Sequence, residues 1–199
     1  VAAATLLLLV AVLVPAAAAA QFTVTGDADA GRRKAEPCAA CHGARGHSSR
    51  PDAPSLAGQT ALYVYIQLYQ FRDGRRQNAE MAPFVARLDD RDMQDLAAYF
   101  ASEPPAPPAG PFDAAKAAAG REVSNAHACE RCHRPGFVGQ GHVPRLTGLT
   151  YPYLVTQLRG YKAQTRADYD GFMTGAAQPL TEQDIDNVAH YVLSASGGG

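Results

Sequence analysis

Two pentapeptides in this 199-residue chain carry the residue types most able to do chemistry. Cys38-Ala39-Ala40-Cys41-His42 and Cys129-Glu130-Arg131-Cys132-His133 each set two thiols two residues apart and follow them directly with an imidazole. This is the C-x-x-C-H signature of c-type haem attachment. Two thiols at that spacing can add to the two vinyl groups of a haem, forming thioethers that do not dissociate. The histidine that follows, His42 or His133, is then delivered beneath the iron as its proximal ligand. The expected cofactor is two covalently bound haem c groups, held by Cys38, Cys41, Cys129 and Cys132. A zinc site would need four ligands at one point, joining the two motifs across the chain and leaving their repetition without a reason. A thioredoxin-like dithiol needs a strand-helix setting, which the apolar pattern does not supply.

The elements that must position these motifs come in duplicate, the observation on which any fold assignment has to rest. Pro54-Ser55-Leu56-Ala57-Gly58 is answered by Pro144-Arg145-Leu146-Thr147-Gly148. Tyr63, Gln67, Leu68 and Phe71 find Tyr153, Gln157, Leu158 and Tyr161 at the same offset from the proline, and Asp92, Leu96 and Tyr99 find Asp184, Val188 and Tyr191. Apolar residues recur at helical spacing: Met93, Leu96, Ala97 and Phe100 form one stripe, and Ile185, Val188, Ala189 and Val192 its copy. Asp89 and Thr181 are suited to cap these helices. Middle helices are expected over 60–71 and 151–162, and short helices over 27–36 and 113–123 leading into the cysteine motifs. No segment reads as a strand. Between the halves, five prolines in residues 103–111 forbid a helix or sheet and favour extended, semi-rigid chain. The expectation is an all-α chain of two tandem domains, 21–102 and 113–199, joined by a Pro-rich linker at 103–112. Each half is small enough that a covalently held apolar cofactor would help to stabilise it.

The repeat also selects the sixth iron ligand. Of the three methionines, Met93 lies on a core stripe where Ile185 is its copy, so it reads as core filler. Met81 and Met173 match one another in register, each seven residues before an aligned leucine, Leu88 or Leu180, and are the expected distal ligands. A Met/His pair raises haem potential. The carbonyls of Pro54 and Pro144 are expected to accept the proximal imidazole N–H and fix its orientation. His47, His127, His142 and His190 have no counterpart in the other half and are expected to be solvated or structural.

Charge and the N-terminus bound the setting. Residues 21–102 hold ten Lys/Arg against ten Asp/Glu and residues 113–199 eight against eight, so nothing points to nucleic acid as a partner. Residues 1–14 are uncharged and rich in Leu, Val and Ala; Pro15 and an alanine run follow. That pattern reads as the apolar core and small-residue cleavage region of an export signal over residues 1–20. A retained anchor would call for about 20 strongly apolar residues.

Taken together, these residues resemble the class I cytochromes c, and more closely the dihaem cytochrome c4 family, over most of 26–193. The first half carries the resemblance in Cys38-Ala39-Ala40-Cys41-His42-Gly43, Leu56-Ala57-Gly58-Gln59, Phe71-Arg72-Asp73-Gly74-Arg75-Arg76, Met81-Ala82-Pro83 and Leu96-Ala97-Ala98-Tyr99-Phe100. The second half departs at Arg134-Pro135, where a glycine is usual, and at Leu149, which stands where Gln59 does. The resemblance implies two class I haem domains facing each other, with Gly31 and Gly120 allowing close contact between the first and last helices of each. It also implies a periplasmic protein, often loosely membrane-associated, that shuttles single electrons from a quinol-oxidising complex toward a terminal oxidase and is not an enzyme. One rival is the electron-accepting subunit of a periplasmic dehydrogenase, with the same haems and a different partner. Another is a dihaem enzyme such as a peroxidase, which would need one open iron position, against which the matched methionines and the lack of long inserted loops both argue.

Overall fold

A computed structural model describes residues 22–195. The expected export signal at 1–20 lies outside the described residues. Among these, the regular structure is helical apart from one isolated bridge between Gln140 and Val143, and no helix is long and apolar enough to cross a membrane. The first half contains α1 (Ala28–Lys34), α2 (Ala39–His42), α3 (Ala61–Arg72), α4 (Ala82–Val85) and α5 (Asp90–Ser102). The second repeats this order with α6 (Ala114–Ala126), α7 (Cys129–His133), α8 (Tyr151–Lys162), α9 (Phe172–Ala177) and α10 (Glu182–Ala195).

Local chemistry sets where these helices begin and end. Asp89 and Asp92 form a reciprocal capping box at the start of α5, with Asp92 N–H donating to Asp89 at 2.7 Å and Asp89 N–H to Asp92 at 3.2 Å. Thr181 and Asp184 make the same exchange ahead of α10. The leader helices differ from one another. Pro37 has no N–H with which to continue the α-helical ladder, so α1 stops at Lys34 and a 3₁₀ turn, Glu36–Cys38, leads into the motif. The second copy has no such proline, and α6 runs on to Ala126. The helices α4 and α9 were not legible from periodicity because each is under two turns long.

Each half has its own core. Val64, Leu96, Ala97, Tyr99 and Phe100 anchor the first, and Leu154, Leu180, Ile185, Val188 and Val192 the second. The most extensive helix contacts are α1 on α5 and α6 on α10. They are made possible by missing side chains. A Cβ on Gly31 would lie 2.0 Å from the Asp95 carbonyl oxygen, and one on Gly120 would lie 2.0 Å from that of Asn187. The buried residue beside each crossing has diverged. Asp95 accepts from the Asp27 amide at 2.8 Å and pairs with Lys34 at 2.7 Å and Arg91 at 3.0 Å. Asn187 is neutral and accepts from Gln183 at 3.0 Å. Burial pushes the Asp95 carboxyl up, but its bonds to Lys34 and to the Asp27 amide outweigh this and hold it below the usual range.

A second divergence is a complementary exchange of size. Gly46 occupies the turn after the first motif with φ +82°, and a Cβ there would lie 2.9 Å from Phe100. Its counterpart is Phe137, as the parallel bonds Leu56 N–H to the Gly46 carbonyl and Leu146 N–H to the Phe137 carbonyl show. Phe137 keeps a positive φ of 55°, is fully buried, and meets Tyr191 edge-on at 5.4 Å in a core closed by Val192, the counterpart of Phe100. One copy places the large ring on the last helix and the other on the turn.

Two outcomes test these contacts. Gly31→Ala should cost the first domain about 3 kcal/mol, because backbone must move to admit the methyl group; denaturant unfolding followed at each domain should show the second transition unmoved. Asp95, with its lowered folded value, contributes stability above about pH 4 that is lost as pH falls through that folded value. The gap in unfolding free energy between wild type and Asp95→Asn should therefore narrow as pH falls below about 4.

Candidate functional site

Each motif sits at the mouth of a helix turn that presents its histidine inward. His42 and His133 end α2 and α7 and are both buried. The Nδ1 of His42 lies 2.8 Å from the carbonyl oxygen of Pro54, and that of His133 lies 3.0 Å from that of Pro144. A carbonyl can only accept, so Nδ1 carries the proton and Nε2 is left with its lone pair free. Burial holds both imidazoles below their ordinary pKa, against the opposing pull of the proline carbonyls, which keeps them neutral and able to ligate. None of the four cysteines is in a disulfide, and burial pushes the Cys38 and Cys129 thiols up.

The chain leaves each histidine through a positive-φ residue, Gly43 at φ 76°, ψ 165° and Arg134 at φ 68°, ψ 155°. The departure from glycine seen in the sequence thus keeps the backbone path, at the cost of holding an arginine in a region that side chains avoid. In the second half, Cys129, Cys132, His133 and Met173 line one largely apolar cleft of about 380 Å³, within the range of cofactor sites. Met173 is held by its backbone, since the Asp168 carboxylate accepts its N–H at 2.7 Å and also binds Thr174. The equivalent turn in the first half uses a neutral side chain: Asn78 Oδ1 accepts the N–H groups of Glu80 and Met81, both at 2.9 Å. Met81 thereby stands at the N-cap of α4, and its assignment to the first motif rests on this equivalence. Met93 is fully buried in the core. Among the other histidines, His142 pairs with Asp170 at 2.8 Å, and His190 accepts from the Asp113 amide at 3.1 Å and packs on Tyr151.

Sequence reasoning missed the residues that join the two halves. Arg76 donates to Gln67 of its own half at 2.5 Å and across the interface to the Tyr153 hydroxyl at 3.2 Å and Gln157 at 3.1 Å. Arg166 reverses the pattern, donating to Gln157 at 2.6 Å and across to the Tyr63 hydroxyl at 2.9 Å and Gln67 at 3.4 Å. Each guanidinium also lies over the aligned aromatic ring of its own half, Phe71 at 4.4 Å and Tyr161 at 4.5 Å. The network is a pseudo-two-fold, with every member matched. Its signal was present in the repeat, because Arg76 and Arg166 each lie five residues after the aligned Phe71 and Tyr161. Gln59 adds a reciprocal pair to the Arg145 backbone at 2.9 and 2.7 Å, and the linker passes between two positive-φ glycines, Gly58 beside Pro105 and Gly148 beside Ala106.

These surroundings test whether a haem fits. Arg166 is buried, lines the cleft, and its Nε has no partner. Among the described residues no carboxylate pairs with Arg76 or Arg166. Burial pushes Tyr153 up, yet the two guanidiniums outweigh it and hold the phenol below its ordinary value. Buried cations short of an anion are costly, and a haem brings two carboxylates of its own. The donor set, the apolar cleft and the free Nε2 therefore fit that cofactor. Conversely, the two motifs lie in different domains, and no group of three or more His, Cys, Asp or Glu among the described residues is arranged as a metal site.

Comparison with known proteins agrees. The family model of cytochrome c matches residues 28–103 and again 117–196. Cytochrome c4 of Pseudomonas aeruginosa is 37% identical over 177 residues, covering 84% of this chain and 88% of that protein. A thiosulfate dehydrogenase electron acceptor of Thiomonas intermedia is 34% identical over 173 residues, 81% of this chain and 79% of its own. The crystal structure of reduced recombinant cytochrome c4 from Pseudomonas stutzeri superposes with a TM-score of 0.79 at 32% identity, covering 85% of this chain and 98% of that one. Two haem-attachment motifs, each in its own helical domain with a buried, carbonyl-oriented histidine, and these matches over both halves have one meaning: the chain belongs to the cytochrome c family, as a dihaem member of the cytochrome c4 group.

Proposed function

We propose that Cys38 and Cys41 hold one haem and Cys129 and Cys132 the other, with His42 and Met81 as axial ligands of the first iron and His133 and Met173 of the second. The domains are then 21–102 and 113–199, with 103–112 as linker and 1–20 as an export signal. The protein is an electron-transfer cytochrome with two covalently bound haem c groups, and not an enzyme. The observation that carries the ligand assignment is the pair of imidazoles whose Nδ1 is engaged by a proline carbonyl and whose Nε2 is free.

A bound haem supplies one-electron chemistry by cycling between ferrous and ferric iron. The chain's residues do the rest. The thiols make attachment permanent, and the proline carbonyls hold each imidazole plane in one orientation and raise its basicity. Asp168 and Asn78 fix the backbone at Met173 and Met81, so that the weak thioether donors need not search for their positions. The apolar lining excludes water, which together with thioether ligation favours the ferrous state. Arg76 and Arg166 place positive charge between the two halves and tie them into one register.

We assign the protein to the periplasm, at or near the membrane surface, carrying electrons from a quinol-oxidising complex to a terminal oxidase. A second reading, the electron acceptor of a dedicated dehydrogenase, is supported by the likeness to the Thiomonas protein. Mixing the ferric protein with a quinol-oxidising complex or with a thiosulfate dehydrogenase, and timing its reduction, separates the two.

An optically monitored redox titration tests the ligand set. Two one-electron, low-spin waves at positive potential are expected, with the weak red absorbance of ferric iron bound by methionine. Met81→Ala and Met173→Ala should each shift one wave and remove part of that band while sparing the other haem; a variant that changes neither haem removes its methionine from the ligand set. Asp168→Asn, which copies Asn78, should keep the second haem's share of the band. Asp168→Ala leaves the Met173 and Thr174 amides without their acceptor and should weaken it, as the band followed against temperature would reveal.

A further inference from the structure

The two Met-bearing loops have not diverged equally. Asn78 and Asp168 both lie seven residues after the aligned ring, Phe71 or Tyr161, yet Met81 comes three residues after Asn78 and Met173 five after Asp168. The second loop therefore carries two extra residues. From it project Tyr169, 69% exposed, and Phe172, 77% exposed, the latter taking the place immediately before the methionine that Glu80 has in the first copy. Large apolar rings this exposed lose free energy to water unless something covers them. Both line the mouth of the second cleft, beside the exposed Arg131.

A cation sits beside these rings. In the second loop, Asp168 is engaged by the Met173 and Thr174 amides, and Asp170 pairs with His142 at 2.8 Å. Arg131 has no carboxylate partner among the described residues. The rim thus offers an apolar centre and an unpaired cation. In the first half, Arg50 is bound to Asp52 at 2.6 Å and Glu80 at 3.4 Å, while Arg87, six residues after Met81, has no carboxylate partner among the described residues, so the exposed rings are what set the second site apart. The first copy has one exposed ring near its methionine, Phe84, 43% exposed.

We infer that the mouth of the second cleft, built on Tyr169, Phe172 and Arg131, is the docking face for a redox protein that presents an apolar contact centre beside an acidic rim. Such a partner buries the two rings at the centre of the contact, where aromatic anchors contribute most, while Arg131 steers its approach. Electrons then leave or enter through the second domain, and the first domain faces a different partner. The inference rests on reading the cleft as a haem site.

Plastocyanin, a small copper protein with an apolar face at its copper edge and an acidic patch beside it, is a suitable probe. Oxidation of the ferrous dihaem protein by cupric plastocyanin is followed by stopped flow, with redox titration and ferric spectra recorded for every variant. Tyr169→Ser/Phe172→Ser should lower the second-order rate constant about tenfold or more, with both potentials unchanged. Arg131→Glu should also lower it and flatten its dependence on ionic strength. Phe84→Ser should stay within about twofold of wild type. If removing the two rings disturbs the second haem's spectrum, the exposed Arg131→Glu decides. Equal rates in wild type and in the Arg131 and ring variants, or a loss as large in Phe84→Ser, would overturn the assignment. A haem-loaded wild type that does not reduce plastocyanin at all would overturn the carrier reading, and this face with it.

Discussion

A hydrogen bond from a histidine N–H to a proline carbonyl is the constraint on which each half of this molecule depends. It fixes the imidazole tautomer, so that Nε2 rather than Nδ1 faces the cleft. It needs a carbonyl that does not move, which a proline supplies by its locked φ. The motif helix must deliver the ring to that carbonyl, and the turn after it must leave by a positive φ, whether the residue there is Gly43 or Arg134. The loop that follows must return the chain to Pro54 or Pro144. That Arg134 accepts an unfavourable backbone region to preserve this path shows how little freedom the geometry allows.

The interface between the halves obeys a different rule. It is built by matched residues exchanged about a pseudo-two-fold axis, in the way an isologous dimer is built. Arg76 and Arg166 each reach across to a tyrosine and a glutamine while stacking on a ring of their own half. A network in which each donor has several acceptors holds one relative orientation, because any rotation breaks bonds on both sides together. Covalent linkage through the chain between α5 and α6 keeps the local concentration of one half at the other high, and the glycines it passes, Gly58 and Gly148, let it lie close. The relative placement of the two motifs is thus set by polar chemistry across the interface rather than by the covalent connection alone.

Much of this was legible in the sequence because duplication tests each reading against its copy. The two motifs, the prolines, the middle and last helices and the matched methionines were all visible as residues in register. The structure adds what lies below the length of a helical period or depends on three dimensions. The short helices α4 and α9 have too few residues to show a repeat. The turn that positions Met173 is held by Asp168, whose copy is Asn78, and the change of residue hid the shared role. Arg76 stood in view at the end of the run from Phe71, but its meaning lies in atoms contributed by the other half. The leader helices diverged because one proline, Pro37, ends the first early.

The exchange of bulk between Gly46 with Phe100 and Phe137 with Val192 has a consequence for the history of the chain. Two tandem copies of one gene segment are prone to recombine with each other, which erases their differences. A crossover between these copies that joined the first turn to the last helix of the second would set Gly46 against Val192 and leave a void. The opposite crossover would drive Phe137 into Phe100. Either product carries a core defect of the size that unfolds small domains, so selection removes it. The swapped ring acts as a barrier to homogenisation, and behind it the two haem sites are free to become different from one another.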